Sequence, residues 1–490
     1  MRTGARTAIL LQILAGAVLL AAMSFAYGRT FIYHDSGTYY LYGEHIYSEI
    51  TAAINQNRAQ IIPLGQVEQD YVGARSPTYS LIFFIVTSNL TLWGVTALQA
   101  LACSWLLFAL SGLTSPPFRV AAYWIMVAVL TAATPLSYFI SFAMPDIFAG
   151  IGVLCLILLL LPRGQSRATR IGAWLLLVLS ASFHATHVAI LAAAGLVGIA
   201  ALAVSGSWKG SDKWIASAAL IGGLILGASI GPAYQAAERS LIGHPIGAPP
   251  FVTARVLADG TGVDYLKEAC RQPDRFALCD YQMPEAVDAS SFLWAPAEQG
   301  GGYTAADAST RARLRAEQTE FVLGTFASRP VGQLSASLRN WATQLVQIDV
   351  LEPIMDPRTQ ESFRLFEIEG SLPGEAYVFP AEPALEVVRR LFLIFSAFGL
   401  ILIWVASRAD RVGTEDRAAI ATIIGIVLTA VLVNAAVCGA MSEPWPRYQA
   451  RIIWIVPAAL LLLTFRFGPK LLRDRLPLAR TGLMRLRTGG

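Results

Sequence analysis

The chain has 490 residues and a mass of 52.8 kDa; 55% of its residues are hydrophobic and only 14% are charged. A soluble protein of this size carries about 25% charged residues, so the composition excludes a cytosolic globular enzyme, a disordered scaffold and a nucleic-acid binder. The mean hydropathy of +0.53 predicts an all-α polytopic integral membrane protein. The net charge of +4 is less informative than its distribution, because Lys and Arg accumulate in cytoplasmic loops.

Ten apolar runs approach the length of about 20 residues that a helix needs to cross a bilayer core of about 30 Å. They are 7–27, 93–112, 119–142, 147–162, 171–183, 187–205, 214–234, 387–407, 417–440 and 451–466. A further apolar run, 78–92, is short. The basic loops fall on one side of the membrane only if 78–92 does not cross and residues 171–205 cross twice, with a turn near His184. The sequence therefore predicts ten spans and two cytoplasmic termini.

The predicted spans divide the chain into four parts. An N-terminal transmembrane module spans 1–234 and includes a first outer loop at 28–92. A long mixed extracytoplasmic segment follows at 235–386. The C-terminal transmembrane helices span 387–466, and a basic cytoplasmic tail spans 467–490. No internal repeat is visible, so the sequence gives no support to a transporter built from inverted repeats.

The long segment 235–386 combines a helical pattern with loops. Apolar residues recur at helical spacing from Ala305 to about Gln347, whereas 350–385 has several prolines and no clear period, so we expect a loop there. Cys270 and Cys279 lie in a polar stretch of this segment. They are candidates for a disulfide bond if the segment faces an oxidising compartment.

Ionisable residues gather at the ends of the apolar runs on the predicted outer side. At membrane depth each costs about 2.5–3.5 kcal/mol on insertion scales, so each needs a partner or a function. Because they come from separate loops and helix ends, a helical bundle can bring them to one cavity. They are His34, Asp35, Arg75, Asp146, His184, His187, Glu443, Arg447 and Arg451.

Each of these residues also has a purely structural interpretation. Asp35 and Asp146 stand where helices begin, and an acidic side chain there caps free N–H groups and interacts favourably with the helix dipole. His184 and His187 are three residues apart, as in some metal sites, but no third ligand is evident, so the sequence does not support a metal cofactor although a divalent ion is possible.

The outer arginines are the least expected of these residues. Arg447 and Arg451 lie on the side from which the positive-inside rule depletes Arg. They could contact lipid headgroups, but a negatively charged ligand explains their position better. Carboxylates beside Arg and His suit one chemistry in particular: a carboxylate orients or deprotonates an acceptor hydroxyl, while cations stabilise a lipid-linked phosphate as it becomes the leaving group.

Five short segments carry a family resemblance through their order and spacing. They are Asp35-Ser36-Gly37-Thr38-Tyr39, Arg75-Ser76-Pro77-Thr78-Tyr79-Ser80, Met144-Pro145-Asp146, Phe183-His184-Ala185-Thr186-His187 and Pro446-Arg447-Tyr448. Together they resemble motifs of GT-C glycosyltransferases, near the protein-O-mannosyltransferase-like and lipid A aminoarabinose-transferase-like branch. The resemblance covers about 1–235 and 387–466. Two residues depart from it: Ser36 replaces the second acid of a D-E-x-x-Y motif, and Ser76 replaces the first proline of a K/R-P-P-L-Y-P motif.

The resemblance implies a GT-C-like bundle of about ten transmembrane helices, with juxtamembrane helices in the first outer loop that include 78–92. It also implies the transfer of a sugar, with inversion at the anomeric carbon, from a polyprenyl-phosphate donor. The reaction would take place on the outer, periplasmic face of a bacterial cytoplasmic membrane. The acceptor would be a glycan, a lipid or a protein, and membrane lipids would surround the chain.

The resemblance also implies roles for the outer polar residues. Asp35 would take the position of the catalytic base, and Asp146 is the second catalytic candidate. The donor phosphate would face Arg447, and we add Arg451, Arg75, His184 and His187 as candidates. For the acceptor and the rest of the substrate our candidates are His34, Tyr39, Tyr448 and Glu443.

Three other functions are compatible with the sequence. A lipid or polysaccharide transporter or flippase would need charges near the middle of its spans, whereas here they cluster at one surface. Another membrane transferase or a polysaccharide polymerase would use similar Arg-rich outer loops. A non-catalytic GT-C relative is the third, because Ser36 replaces an acid.

Overall fold

The computed structural model describes residues 2–64, 73–161, 164–205, 212–242, 247–272, 274–281, 287–350, 383–408 and 412–473. Regular structure in these residues is helical, apart from one isolated β-bridge between Phe31 and Phe142. The prediction of an all-α polytopic membrane protein is confirmed. The basic tail beyond residue 473 and most of the loop predicted at 350–385 lie outside the described residues.

Most helices of the N-terminal module overlap the predicted apolar runs, whereas His34–Ile54 lies in the predicted first outer loop. In chain order, the helices are α1 (Arg2–Leu20), α2 (Ala22–Tyr27), α3 (His34–Ile54), α4 (Pro77–Ser111), α5 (Arg119–Ala133), α6 (Leu136–Ser141), α7 (Ile147–Leu160), α8 (Arg167–Phe183), α9 (Ala185–Val204) and α10 (Asp212–Ile242).

The rest of the chain contributes short helices and then the C-terminal spans. They are α11 (Phe251–Ala258), α12 (Thr261–Ala269), α13 (Ala289–Trp294), α14 (Ala308–Ser328), α15 (Pro330–Val346), α16 (Pro383–Ser407), α17 (Thr414–Met441), α18 (Pro446–Ile453) and α19 (Ile455–Arg473).

Seven helices among the described residues are long and apolar enough to cross a membrane, and each overlaps one of the predicted runs. Two further runs form the shorter apolar helices Arg6–Leu20 and Ile147–Leu160. The remaining run, 171–183, lies in α8, which has 17 residues. All ten predicted runs are therefore helical, although only seven of them meet the length and hydropathy expected of a full span.

The backbone breaks at one predicted place and at others that were not predicted, two of which precede a proline. Thr91 has φ 63° and ψ −179° inside α4, which separates the short run 78–92 from the span that follows it. The run 119–142 is interrupted before Pro135, and the helical pattern of 305–347 is interrupted before Pro330. Proline lacks an N–H group and disfavours a helical conformation in the residue before it, so each continuous pattern becomes two helices.

Apolar side chains lie on the outer surface of the bundle as well as in its core. Ile225 on α10 and Phe395 on α16 are 61% and 66% exposed in the isolated chain. Lipid tails are as apolar as these side chains, so such faces are stable when they lie against a bilayer. Residues on α11 to α14 form a separate apolar core, which includes Val256, Phe292 and Phe321.

A disulfide bond joins Cys270 and Cys279, whose Cα atoms lie 5.5 Å apart. Closing a loop of this length is expected to stabilise the fold by about 2–3 kcal/mol, because it restricts the unfolded chain. Replacing both cysteines with serine should therefore lower the thermal unfolding midpoint of the purified protein by several degrees. Alkylation of both thiols in the native, non-reduced wild type would contradict the bond.

The start of α3 is anchored in the middle of the bundle. The backbone N–H of Phe31 donates to the carbonyl oxygen of Ser141, and that of Ala143 donates to the carbonyl oxygen of Phe31. Further along α3, a Cβ at Gly43 would lie 2.1 Å from the carbonyl oxygen of Ser80, so only glycine allows α3 to pack this closely on α4. These contacts place the first turn of α3 beside the loop that leads into α7.

Candidate active site

The Asp35 carboxylate lies between two arginines from distant parts of the chain. Its Oδ1 is 2.5 Å from Nη2 of Arg75, and its Oδ2 is 3.5 Å from Nη2 of Arg447. The three side chains are 17%, 11% and 10% exposed. A ligand can therefore reach the cluster, although most of its surface is shielded from water. Shielding strengthens its electrostatic interactions relative to those at an open surface.

Ser36 fixes the turn that presents Asp35. The backbone N–H of Tyr33 donates to the Ser36 hydroxyl at 3.0 Å, and this hydroxyl donates to the carbonyl oxygen of Ala143 at 2.9 Å. Ser36 is fully buried. The residue that replaces the family's second acid therefore has a structural role, because it ties the start of α3 to the loop before α7.

Hydrogen bonds from three sides hold the Arg75 segment. The Arg75 Nε donates to the Thr38 hydroxyl at 2.9 Å, and this hydroxyl donates to the carbonyl oxygen of Asp35 at 2.8 Å. The next residue, Ser76, caps α4 by accepting from the N–H of Tyr79, and its hydroxyl donates to the carbonyl oxygen of Ser182. Ser76 thereby links this segment to the end of α8.

Arg447 reaches Asp35 from the opposite side, at the start of α18. Its guanidinium carbon lies 4.0 Å from the ring centre of Tyr33 and 5.3 Å from that of Tyr448. Such cation–π contacts stabilise a desolvated guanidinium. They also fix the plane of the group that faces Asp35.

Asp146 and Arg451 form a second, deeper ion pair. The Nη1 of Arg451 is 3.3 Å from Oδ1 of Asp146, and the two side chains are only 1% and 4% exposed. Nη2 of Arg451 also donates to the Thr186 hydroxyl at 3.0 Å and to the amide oxygen of Asn434 at 3.1 Å. Asp146 precedes α7 but makes no side-chain capping bond there, so the capping interpretation does not describe its contact.

The two histidines have structural contacts of their own. Nδ1 of His184 accepts from the backbone N–H of Thr186 and so caps α9, and His187 donates from Nδ1 to the carbonyl oxygen of Ser180 at 2.9 Å. Burial and the nearby Arg451 guanidinium lower the pKa of His184 well below its usual range. A nitrogen that accepts a hydrogen bond carries no proton, so both observations describe a neutral His184.

The candidates for the acceptor side are only partly brought together. Tyr39 is buried against Tyr79, with ring centres 5.0 Å apart, and Arg75 lies 5.5 Å from its ring. Burial raises the pKa of Tyr39 above its usual range, so its hydroxyl stays protonated. Glu443 instead interacts with Asp288 and Arg255, and burial and Asp288 raise its pKa. His34 begins α3, but its side chain is outside the described part of the structure.

The structure adds two residues that the sequence analysis did not select. Tyr33 stacks on Arg447, and Asn434 bonds Arg451 and donates to the carbonyl oxygen of Tyr448 at 2.7 Å. The sequence could have identified Asn434, because it is a polar amide inside the apolar run 417–440, where such a group needs a partner. No comparable feature of the sequence identifies Tyr33.

Comparison with known proteins gives one weak structural likeness. No protein-family model matches the sequence, and the search of curated proteins finds no match. The crystal structure of ArnT from Cupriavidus metallidurans in the apo state aligns with 94% of this chain and 78% of its own, at 15% identity and a TM-score of 0.32. The structure of the same protein bound to undecaprenyl phosphate aligns with 97% of this chain and 80% of its own, at 14% identity and a TM-score of 0.29. Both likenesses to ArnT have low sequence identity and a low TM-score.

Proposed function

We propose that the protein is a membrane glycosyltransferase that moves a sugar from a polyprenyl-phosphate donor to an acceptor hydroxyl. One observation carries the proposal: the partly exposed carboxylate of Asp35 is shared between Arg75 and Arg447. This cluster contains the two groups that the reaction needs, a base for the acceptor and cations for the leaving phosphate.

The arginines of the site suit an anionic ligand. Among the described residues, the ion pairs of the site join the carboxylates of Asp35 and Asp146 to the guanidinium groups of Arg75, Arg447 and Arg451. A donor phosphate would find Arg75 and Arg447 in a shielded environment, where a guanidinium binds phosphate through two parallel hydrogen bonds.

Donor binding would also free Asp35 for the acceptor. In the structure its carboxylate contacts both arginines. A phosphate that takes over the hydrogen bonds of Arg75 and Arg447 would compete with Asp35 for these cations. The carboxylate would then be available to the acceptor hydroxyl at the moment when the donor is in place.

The transfer step follows from this arrangement. The acceptor hydroxyl loses its proton to Asp35 as its oxygen forms a bond to the anomeric carbon from the face opposite the phosphate. The bond from that carbon to the phosphate oxygen breaks, and its electron pair leaves with the polyprenyl phosphate. Arg75 and Arg447 balance the negative charge that develops on the phosphate. Attack from the opposite face inverts the anomeric configuration.

Asp146 and Arg451 have a different part in this proposal. Their pair is almost completely buried, and Nη2 of Arg451 donates hydrogen bonds to Thr186 and Asn434. We assign them to positioning: they hold α7, α9 and α17 against α18, whose first turn contains Arg447. His184 and His187 support the same framework through their bonds at the α8–α9 junction.

The proposal is tested by incubating membranes that contain the protein with labelled polyprenyl-phosphate sugars and analysing the products. We expect labelled acceptor and released polyprenyl phosphate. Movement of intact donor across vesicle membranes, without consumption of the donor, would identify a flippase instead.

Changes at Arg447 test the phosphate contact in the same assay. Arg447→Ala removes charge-assisted hydrogen bonds of about 1.5–3 kcal/mol, so we expect donor affinity to fall by about 10- to 100-fold. Arg447→Lys should recover only part of it, because lysine supplies a point charge without a planar fork. Arg339→Ala, which removes an exposed arginine of α15, is the matched control and should leave affinity unchanged. Equal donor affinity in Arg447→Ala and wild type would exclude the contact.

The proposed location places the site on the periplasmic face of a bacterial inner membrane. Reporter fusions at Gly206 and Arg411 should then read as cytoplasmic, and a fusion at Gln299 as external. These sides follow from the positions of the basic loops. A cytoplasmic reading at Gln299 would move the Asp35 cluster to the opposite face and contradict the proposed topology.

A further inference from the structure

A second group of ionisable side chains lies outside the Asp35 cluster, where α3 meets α10. His45 and Glu49 are one turn apart on α3, and Glu238 is near the end of α10. One ligand atom from each residue lies within 4.8 Å of the other two. His45 is 3% exposed and Glu238 is 1% exposed, so this is a buried cluster and not a solvated patch.

The facing atoms of the cluster lack hydrogen-bond partners among the described residues. They are Nε2 of His45, Oε1 of Glu49 and both carboxylate oxygens of Glu238. Nε2 of His45 is 3.5 Å from Oε1 of Glu49 and 3.8 Å from Oε1 of Glu238. These separations exceed a normal hydrogen bond. They are close to the separation of about 3.3 Å that neighbouring ligands have around a tetrahedral zinc ion with bonds of about 2.0–2.1 Å.

In His45 and Glu49, the polar atom that does not face the cluster already has a hydrogen-bond partner, as in known metal sites. His45 bonds the carbonyl oxygen of Ile62 through Nδ1 at 2.6 Å, which leaves Nε2 free to act as a ligand. Glu49 accepts a hydrogen bond from the Tyr234 hydroxyl through its other oxygen. Metal-binding histidines usually donate their second N–H to a carbonyl or carboxylate, and metal-binding carboxylates are also hydrogen-bonded.

We propose that His45, Glu49 and Glu238 bind one divalent transition-metal ion, with zinc as the best fit. Imidazole with two carboxylates is a ligand set that zinc accepts, and the fourth tetrahedral position would remain for a solvent molecule. An ion with two positive charges would neutralise both buried carboxylates, which are costly to bury without a partner.

The ion would clamp the juxtamembrane helix α3 to α10. Asp35 lies in the first turn of α3, ten residues before His45, or about 15 Å along the helix axis. The metal would therefore be too far away to contact the reacting atoms. It would hold the helix that carries Asp35, and this role does not depend on which reaction the Asp35 cluster performs.

Metal content is the direct test. Full-length protein, purified on a tag without histidine, is equilibrated with zinc chloride, desalted and analysed by plasma mass spectrometry. We expect about one zinc per chain in the wild type and a loss of most of it in His45→Ala and Glu238→Gln. Glu44→Gln makes the same change in charge on α3 outside the cluster and should keep its zinc.

The thermal stability of the wild-type protein tests metal binding even if a variant does not fold. The thermal unfolding midpoint of the wild type should fall on treatment with a chelator and recover with added zinc, because a ligand of the native state stabilises it. The conservative variant Glu49→Gln should respond less than the wild type. Wild-type protein that retains no zinc and shows no change in its midpoint would overturn the proposal. So would His45→Ala and Glu238→Gln proteins that bind as much zinc as the wild type.

Discussion

Asp35→Asn should lower the rate of sugar transfer by about 10²- to 10⁴-fold, because it removes the base that accepts the acceptor proton. This loss corresponds to about 3–5 kcal/mol of transition-state stabilisation. Asparagine keeps the shape of the side chain, and the Ser36 hydroxyl fixes the first turn of α3, so the start of α3 should remain folded. The measurement is product formation at equal amounts of protein in the membrane.

Binding of the donor separates this role from a simple loss of structure. Asp35→Asn removes the charge of one carboxylate that contacts Arg75 and Arg447, and the site becomes more positive. We therefore expect donor affinity to be unchanged or higher while the turnover rate falls. Asp264→Asn, which alters a carboxylate of α12 that is 55% exposed, is the matched control and should transfer normally. Normal transfer by Asp35→Asn would exclude it as the catalytic base.

Arg451→Met should destabilise the fold by about 3–5 kcal/mol, because it leaves the Asp146 carboxylate buried without its cation. The thermal unfolding midpoint in detergent should fall accordingly. The double variant Asp146→Asn/Arg451→Met should regain much of this loss, since it removes the unpaired charge as well. Arg329→Met breaks the exposed pair of Arg329 with Glu268 and should cost only about 0–1 kcal/mol.

The double variant decides between two accounts of the deep pair. If it is as unstable as Arg451→Met, the loss comes from the packing and hydrogen bonds of Arg451 and not from the unpaired Asp146. A midpoint for Arg451→Met equal to that of the wild type would show that the pair does not support the bundle. In that case the positioning role proposed for both residues would be wrong.

The helical membrane architecture can be predicted from the sequence alone. Apolar run length is a local property, and a helix is the structure that satisfies its own backbone hydrogen bonds in lipid. All ten predicted runs are helical in the structure, and Thr91 interrupts α4 where the short run 78–92 gives way to a span. The breaks before Pro135 and Pro330 were missed because apolar periodicity continued across them, although the prolines themselves were the signal.

The sequence also identified most of the polar residues at the candidate site, because ionisable groups at the ends of apolar runs are costly and therefore conspicuous. Only the tertiary structure decided which of them are partners. Asp35 pairs with Arg75 and Arg447, and Asp146 pairs with Arg451, whereas Glu443 interacts electrostatically with Asp288 and Arg255. Side chains at helix ends look equivalent in a linear sequence, and helix packing alone sets the distances between them.

The cluster of His45, Glu49 and Glu238 shows most clearly that the sequence alone does not reveal which side chains become neighbours. His45 and Glu49 are i and i+4 neighbours on α3, as a linear sequence can reveal, but Glu238 joins them from another helix almost two hundred residues later. Nothing local in the sequence around Glu238 indicates a ligand. Its burial against α3, which leaves both of its oxygens without a hydrogen-bond partner among the described residues, arises only when the two helices pack.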